Sequence, residues 1–155
     1  MNTPSTVLDY TSAEPTAPVR ILQTALAAWR QGNFVAAADQ FNDRFTFTDH
    51  ALGLEFKDKG RLTEFLAKTR ELFPDSERKV KTIFSSGDRV ISEWTLTATQ
   101  TYPFLGVRLK VSICVHGISV VQIKNGKITQ WSDYYDQLKS RRKGLVAWFT
   151  EWLEL

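Results

Sequence analysis

Asn125-Gly126-Lys127-Ile128-Thr129-Gln130-Trp131-Ser132-Asp133-Tyr134-Tyr135-Asp136 opens on an Asn-Gly pair and continues with large side chains alternating with carboxylates. Asn-Gly supplies the positive backbone angles that a tight hairpin needs, so this stretch reads as the second arm of a β-hairpin. The period of two puts Trp131, Asp133 and Tyr135 on one face and Ser132, Tyr134 and Asp136 on the other. An acid flanked by two aromatics on its own face suits the wall of an apolar pocket, where desolvation lifts a carboxyl into the working pH range. An acid at a sheet edge paired with a nearby Lys or Arg would fit the same pattern. Asp133 is the first functional candidate.

The first arm of the hairpin is the long apolar run from Arg108 to Ile123. Upstream of it come a loop from Pro103 to Gly106, a strand from Val90 to Tyr102, the turn Ser86-Gly87-Asp88 and a strand from Lys79 to Ser85. Before these strands the pattern is helical. Residues 1–17, rich in Thr, Ser, Pro and Ala, read as a flexible leader, and Pro18 suits the first position of a helix. Val19, Leu22, Ala25, Leu26 and Trp29 recur at three- and four-residue spacing up to about Gln31, where Gly32-Asn33 supplies a stop. A short second helix spans Val35 to about Asn42. Phe45 and Phe47 then alternate with Thr46 and Thr48 into Asp49-His50 as a strand, and a third helix from about Gly60 to Leu72 turns Leu62, Phe65, Leu66 and Leu72 inward before Pro74-Asp75. Helices first and a meander of strands afterwards give an α+β fold, with the helices on one face of a strongly curved sheet. Residues 137–155 carry Leu145, Trp148, Phe149, Trp152 and Leu153 at helical spacing, an amphipathic C-terminal helix that needs cover.

A chain of 155 residues holds one domain, and its five Trp, ten Phe and four Tyr must be buried or line a cavity. The net charge of +3 is scattered, and Arg141-Arg142-Lys143 reads as a solvated helix face, so nucleic acid is not an expected partner. The single cysteine, Cys114, excludes an internal disulfide and reads as a small buried hydrophobe. His50 and His116 give no metal spacing. The alternation places His116 opposite Val115, Gly117 and Ser119. With no secretory pattern and no apolar run of membrane length, a soluble cytoplasmic protein is expected.

Trp29-Arg30-Gln31-Gly32-Asn33-Phe34, Phe47-Thr48-Asp49, Phe73-Pro74-Asp75, Gly87-Asp88-Arg89-Val90, Glu93-Trp94-Thr95 and Asn125-Gly126-Lys127-Ile128 fall in one order and spacing. In that register, over residues 18–136, the chain resembles the nuclear transport factor 2-like superfamily, and within it the SnoaL-like polyketide cyclase branch. The resemblance implies a cone of three helices backed by a bent antiparallel or mixed sheet, with a hydrophobic cavity at the wide end. It places Asp49 where ketosteroid isomerases hold their proton-shuttling carboxylate. A turn-capping Asp would serve that position equally well. It matches Asp133 to the acid that polyketide cyclases and limonene-type epoxide hydrolases keep on their last strand.

The chain departs from those relatives elsewhere. The isomerases' oxyanion donors fall at Ala25 and Ser119, the cyclases' His also falls near Ser119, and Ser92 through Ala98 offers no Arg to bridge two acids as the epoxide hydrolases do. The expectation is a cofactor-independent isomerase or cyclase acting on a small hydrophobic cyclic molecule, with Asp133 and Asp49 as acid and base. Tyr135, Trp131, Ser119, His50, Trp94, Trp29, Leu96 and Gly117 are the expected binding residues, with no metal. Epoxide hydrolase or dehydratase chemistry, or a non-catalytic binding or dimerisation module, are the alternatives, and a homodimer is the expected assembly.

Overall fold

The computed structural model of the chain describes residues 14–104 and 107–136. The hairpin forms as its sequence dictates: Asn125 and Gly126 take φ of 51° and 74° between strand β5 (Val107–Lys124) and strand β6 (Lys127–Tyr135), and Lys124 stands opposite Lys127. Preceding β5 are helices α1 (Ala17–Arg30), α2 (Phe34–Ala38) and α3 (Lys59–Leu72). The remaining strands are β1 (Phe41–Asp49), β2 (Leu54–Phe56), β3 (Glu77–Ser86) and β4 (Arg89–Phe104). Together with β5 and β6 they make, among the described residues, one six-stranded sheet in the order β2-β1-β6-β5-β4-β3.

All neighbours are antiparallel except β1 and β6, so the sheet is mixed and unclosed. Register shifts fall between Phe41 and Thr46, between Val80 and Thr82 and between Gln122 and Ile123, and such bulges bend a strand and add twist. The concave face receives α1 against β3, β4 and β6, and α3 against β1 and β2. Val19, Leu22 and Ala25 of α1 and Leu62, Phe65 and Leu66 of α3 pack there on Phe47, Val90, Val121, Ile128 and Trp131 in one continuous core.

Three expectations need correction. The second helix ends at Ala38 rather than near Asn42, because Phe41, Phe45 and Phe47 are drawn into β1 and buried on the core face. Strand β2 was not anticipated. Its three residues follow the Gly53 turn and bury Leu54 and Phe56 against β1. Cys114 is exposed, since β5 turns Val115, Gly117, Ser119 and Val121 inward and leaves Cys114 and His116 on the convex face. There His116 Nδ1 lies 3.2 Å from the Thr95 hydroxyl. The expected C-terminal helix and nearly all of the leader lie outside the described residues. Among those described, no helix is long and apolar enough to cross a membrane.

Candidate active site

A cavity of about 610 Å³ opens between α1, α3 and the concave face of the sheet. Leu26, Trp29, Phe47, Leu52, Phe65 and Leu96 form much of its apolar wall, and Asp49, Arg78, Trp94, Asp133 and Tyr135 make its polar floor. Two carboxylates stand side by side because β1 runs parallel to β6 with Asp49 in register with Asp133. Each also belongs to an inward-facing series: Phe45, Phe47, Asp49 on one strand and Trp131, Asp133, Tyr135 on the other.

Their surroundings separate the two acids. Asp49 is 6 % exposed; its Oδ1 accepts the Leu52 N–H at 2.9 Å and its Oδ2 accepts the Tyr135 hydroxyl at 2.9 Å. One oxygen caps the turn, and the same side chain lines the cavity. Burial raises its pKa from the ordinary 3.8 to about 6, with the charge of Asp133 adding to the rise and the Leu52 and Tyr135 hydrogen bonds opposing it. Burial, and then the charge of Asp49, push the Tyr135 phenol well above its usual range, so Tyr135 remains a proton-bearing donor.

Asp133 is paired. Arg78 reaches from β3 across the concave face of β4 and β5, and its Nη1 and Nη2 donate to Oδ2 and Oδ1 of Asp133, each at 3.3 Å. Trp131 Nε1 donates to Asp133 Oδ1 at 2.7 Å, and the Ser119 hydroxyl makes a short bond to the same oxygen. Ser119 Oγ in turn accepts from Arg78 Nη2 and, at 2.9 Å, from Trp94 Nε1. The guanidinium carbon sits 4.0 Å from the Trp94 ring centroid and 5.7 and 5.8 Å from those of Trp29 and Trp131, an aromatic cage around a cation. Four donors on one carboxylate hold Asp133 as the counter-ion of Arg78.

Arg78 was missed in the sequence because Glu77-Arg78-Lys79 has the look of a surface charge run. The available signal was parity: Arg78 shares its face with Val80, and the two stand opposite the inward-facing Leu96 and Trp94 of β4.

Trp29, Trp94, Leu96 and Tyr135 line the cavity together with the two acids. Trp131 and Ser119 are fully buried behind that wall and act on it through Asp133. His50 lies on the convex side, exposed, its ring stacked on Tyr134 with centroids 4.3 Å apart, while its backbone N–H bonds the Asp133 carbonyl. It does not join the cavity, because the inward series of β1 ends at Asp49. Gly117 stands opposite Trp94 in the β4–β5 register, and a Cβ there would lie 2.4 Å from the indole carbons Cζ2 and Cη2. Gly117 is thus the seat of Trp94. Gly117→Ala is expected to tip the indole, with a loss of about 1–3 kcal/mol in urea unfolding and a changed near-ultraviolet circular dichroism band. A variant with wild-type spectrum and midpoint would show that Trp94 has room to shift.

A bent, unclosed, mixed sheet with helices on its concave face is the nuclear transport factor 2-like fold. Within that class the chain belongs to the SnoaL-like polyketide cyclase family, whose sequence profile matches residues 19–143. Solved structures agree in fold at low identity. A nuclear transport factor 2-like protein from Burkholderia thailandensis is 16 % identical, with a TM-score of 0.68 over 81 % of this chain and 95 % of that one. A protein of ketosteroid isomerase-like fold from Catenulispora acidiphila, in complex with trimethylamine, is 22 % identical, with a TM-score of 0.64 over 75 % of this chain and 85 % of that one. TerC, co-crystallised with polyporic acid, is 15 % identical, with a TM-score of 0.65 over 90 % of this chain and all of its own. No curated protein sequence matches the chain.

Proposed function

We propose that this protein is an isomerase or cyclase that moves a proton on a small, hydrophobic, cyclic carbonyl compound, with Asp49 as the proton carrier. The supporting observation is Asp49 itself: a carboxyl raised to about 6 by burial, oriented by Leu52 and Tyr135, in the wall of a largely apolar cavity. Ionised Asp49 takes the proton from the carbon next to the substrate carbonyl, and the C–H electron pair moves onto the carbonyl oxygen as an enolate. In an isomerisation, protonated Asp49 returns the proton to another carbon of the enolate. In a cyclisation, the enolate carbon attacks a second carbonyl and the new alkoxide takes the proton from Asp49. Both routes balance with the chain's own residues and draw on no cofactor. Membership of the cyclase family supports the reaction type, and the co-crystal of TerC with polyporic acid supports a cyclic ligand. Epoxide hydrolysis by an Arg held between two acids has less support, since Arg78 binds Asp133 and no bond to Asp49 accompanies it.

Exchange of the protons next to the carbonyl of 2-tetralone in D₂O, followed by NMR, tests the reading. The protein is expected to accelerate exchange, and Asp49→Asn to remove at least about a hundredfold of that acceleration. Because the base must be ionised, the rate is expected to rise through about pH 6 and then level off. Exchange unaffected by the protein, or undiminished in Asp49→Asn, would overturn it.

A second reading, a dimerisation module, is favoured by the convex face, where Phe84, Ile118 and Tyr134 are about half exposed. That face lies opposite the cavity, so a homodimer and an enzyme are compatible in one protein.

A further inference from the structure

We infer that Arg78 is the anchor for a substrate oxygen that carries or develops negative charge, which makes the preferred ligands enolates, phenolates and their carbonyl precursors. This builds on the reading of Asp49 as proton carrier by naming the polar end of the substrate.

The case is an accounting of donors on the cavity floor. The Tyr135 hydroxyl is committed to Asp49, the Trp94 N–H to Ser119, and the Trp131 N–H and the Ser119 hydroxyl to Asp133. Arg78 has five N–H hydrogens. Nη2 uses both of its own on Ser119 and Asp133 Oδ1, and Nη1 uses one on Asp133 Oδ2. The Nε hydrogen has no partner and is sealed from the cavity. The second hydrogen of Nη1 is what remains, on a side chain that lines the cavity and keeps 15 % of its surface exposed.

The charge behind that hydrogen is only partly spent. Both contacts to Asp133 are 3.3 Å, longer than the 2.7–2.9 Å of a tight charge-assisted bond, and Asp133 divides its acceptance among Arg78, Ser119 and Trp131. The three indoles pack around the guanidinium, so an oxygen arriving from the cavity meets a cation already held in place and largely desolvated. Position fits the chemistry as well. Asp49 sits level with Asp133 on the adjacent strand, one strand spacing of about 4.8 Å away, so an oxygen bound beside the Arg78–Asp133 pair brings its neighbouring carbon toward Asp49.

The test compares 4-nitrophenolate with nitrobenzene, an anion and a neutral molecule of nearly one shape, by calorimetry at about pH 8, where the phenol is ionised and the guanidinium charged. The wild type is expected to prefer the anion by at least about tenfold. Arg78→Lys keeps the charge without the planar fork and should keep part of the preference. Arg78→Gln alone would strand Asp133, so the informative variant is Arg78→Gln with Asp133→Asn, a neutral pair of similar shape. Its circular dichroism should be that of the wild type, its nitrobenzene affinity should stay within about twofold, and its preference for the anion should vanish. No preference in the wild type, a preference that survives in the double variant, or equal loss of both ligands by a folded double variant would each overturn the assignment. Asp49→Asn separates this from the proton-carrier reading: it should bind 4-nitrophenolate at least as tightly as the wild type whether or not tetralone exchange depends on Asp49.

Discussion

Asp133→Asn is expected to lower the stability of the folded chain by about 3–5 kcal/mol, and adding Arg78→Gln to recover most of that loss. Asn and Asp have nearly the same shape, and a proton-carrying role alone would predict that Asp133→Asn yields a well-folded but inactive protein. The bonding around Asp133 changes that outcome. Oδ1 accepts from Trp131, Ser119 and Arg78 Nη2, and Oδ2 accepts from Arg78 Nη1. An Asn side chain has one oxygen for those donors and turns an NH₂ group toward the rest. It also leaves a caged guanidinium, 15 % exposed, without its counter-charge. Breaking a buried pair from one side costs more than the pair itself contributes, because the charge left behind stays desolvated with nothing to offset it. Urea unfolding of the wild type, both single variants and the double variant forms a closed cycle, and the expected result is a coupling of several kcal/mol with the double variant closest to the wild type. If Asp133→Asn unfolds at the wild-type midpoint, Arg78 finds water or another acceptor once Asp133 is neutral, and the cage is looser than its distances imply.

The parts of the site that were legible in the sequence are those carried by one strand. Alternation along β6 puts Asp133 and Tyr135 on one face, and both line the cavity, as do Trp94 and Leu96 of β4. The Asn125-Gly126 hairpin was local too, because its geometry is set by two residues. What stayed hidden depends on pairing between strands far apart in sequence. Arg78 and Asp133 are 55 residues apart and meet only because the sheet curls β3 toward β6. The parallel pairing that sets Asp49 beside Asp133 leaves no trace in either strand. His50, an expected binding residue, shows the converse: it follows Asp49 in sequence, but the inward series stops at Asp49 and the next side chain stacks outside on Tyr134. The second helix failed for a local reason. The apolar run from Phe34 onward suits helix and strand alike, and burial of the Phe41, Phe45 and Phe47 rings in the core, two of them against Trp131, decides for strand after Ala38.

Asp49→Asn is expected to make the protein more stable above pH 6 while removing its proposed chemistry. The sign follows from the two protonation states. The native pKa of about 6 exceeds the ordinary 3.8, so between those values the folded chain holds a proton that the unfolded chain has released. The stability associated with this group is complete below about pH 4, declines as pH rises through that interval, and is gone above about 6. The rise from 3.8 to about 6 corresponds to about 3 kcal/mol, which is what the wild type gives up by keeping a buried carboxylate ionised at neutral pH. Asparagine keeps the acceptor for the Leu52 N–H and carries no charge to desolvate. The Tyr135 hydroxyl, which donates to Asp49 Oδ2, can rotate to accept from the new NH₂ group. For a domain of this length the gain amounts to about 6–12 °C in Tm near pH 8, shrinking toward zero near pH 4, measurable by calorimetry of both chains across that range. Identical melting at both ends would mean that the wild-type cavity solvates Asp49 as well as water does, and the elevated pKa would lose its basis. The expected divergence would instead mark Asp49 as a residue held at a cost to the fold, as a base kept ready in an apolar pocket must be.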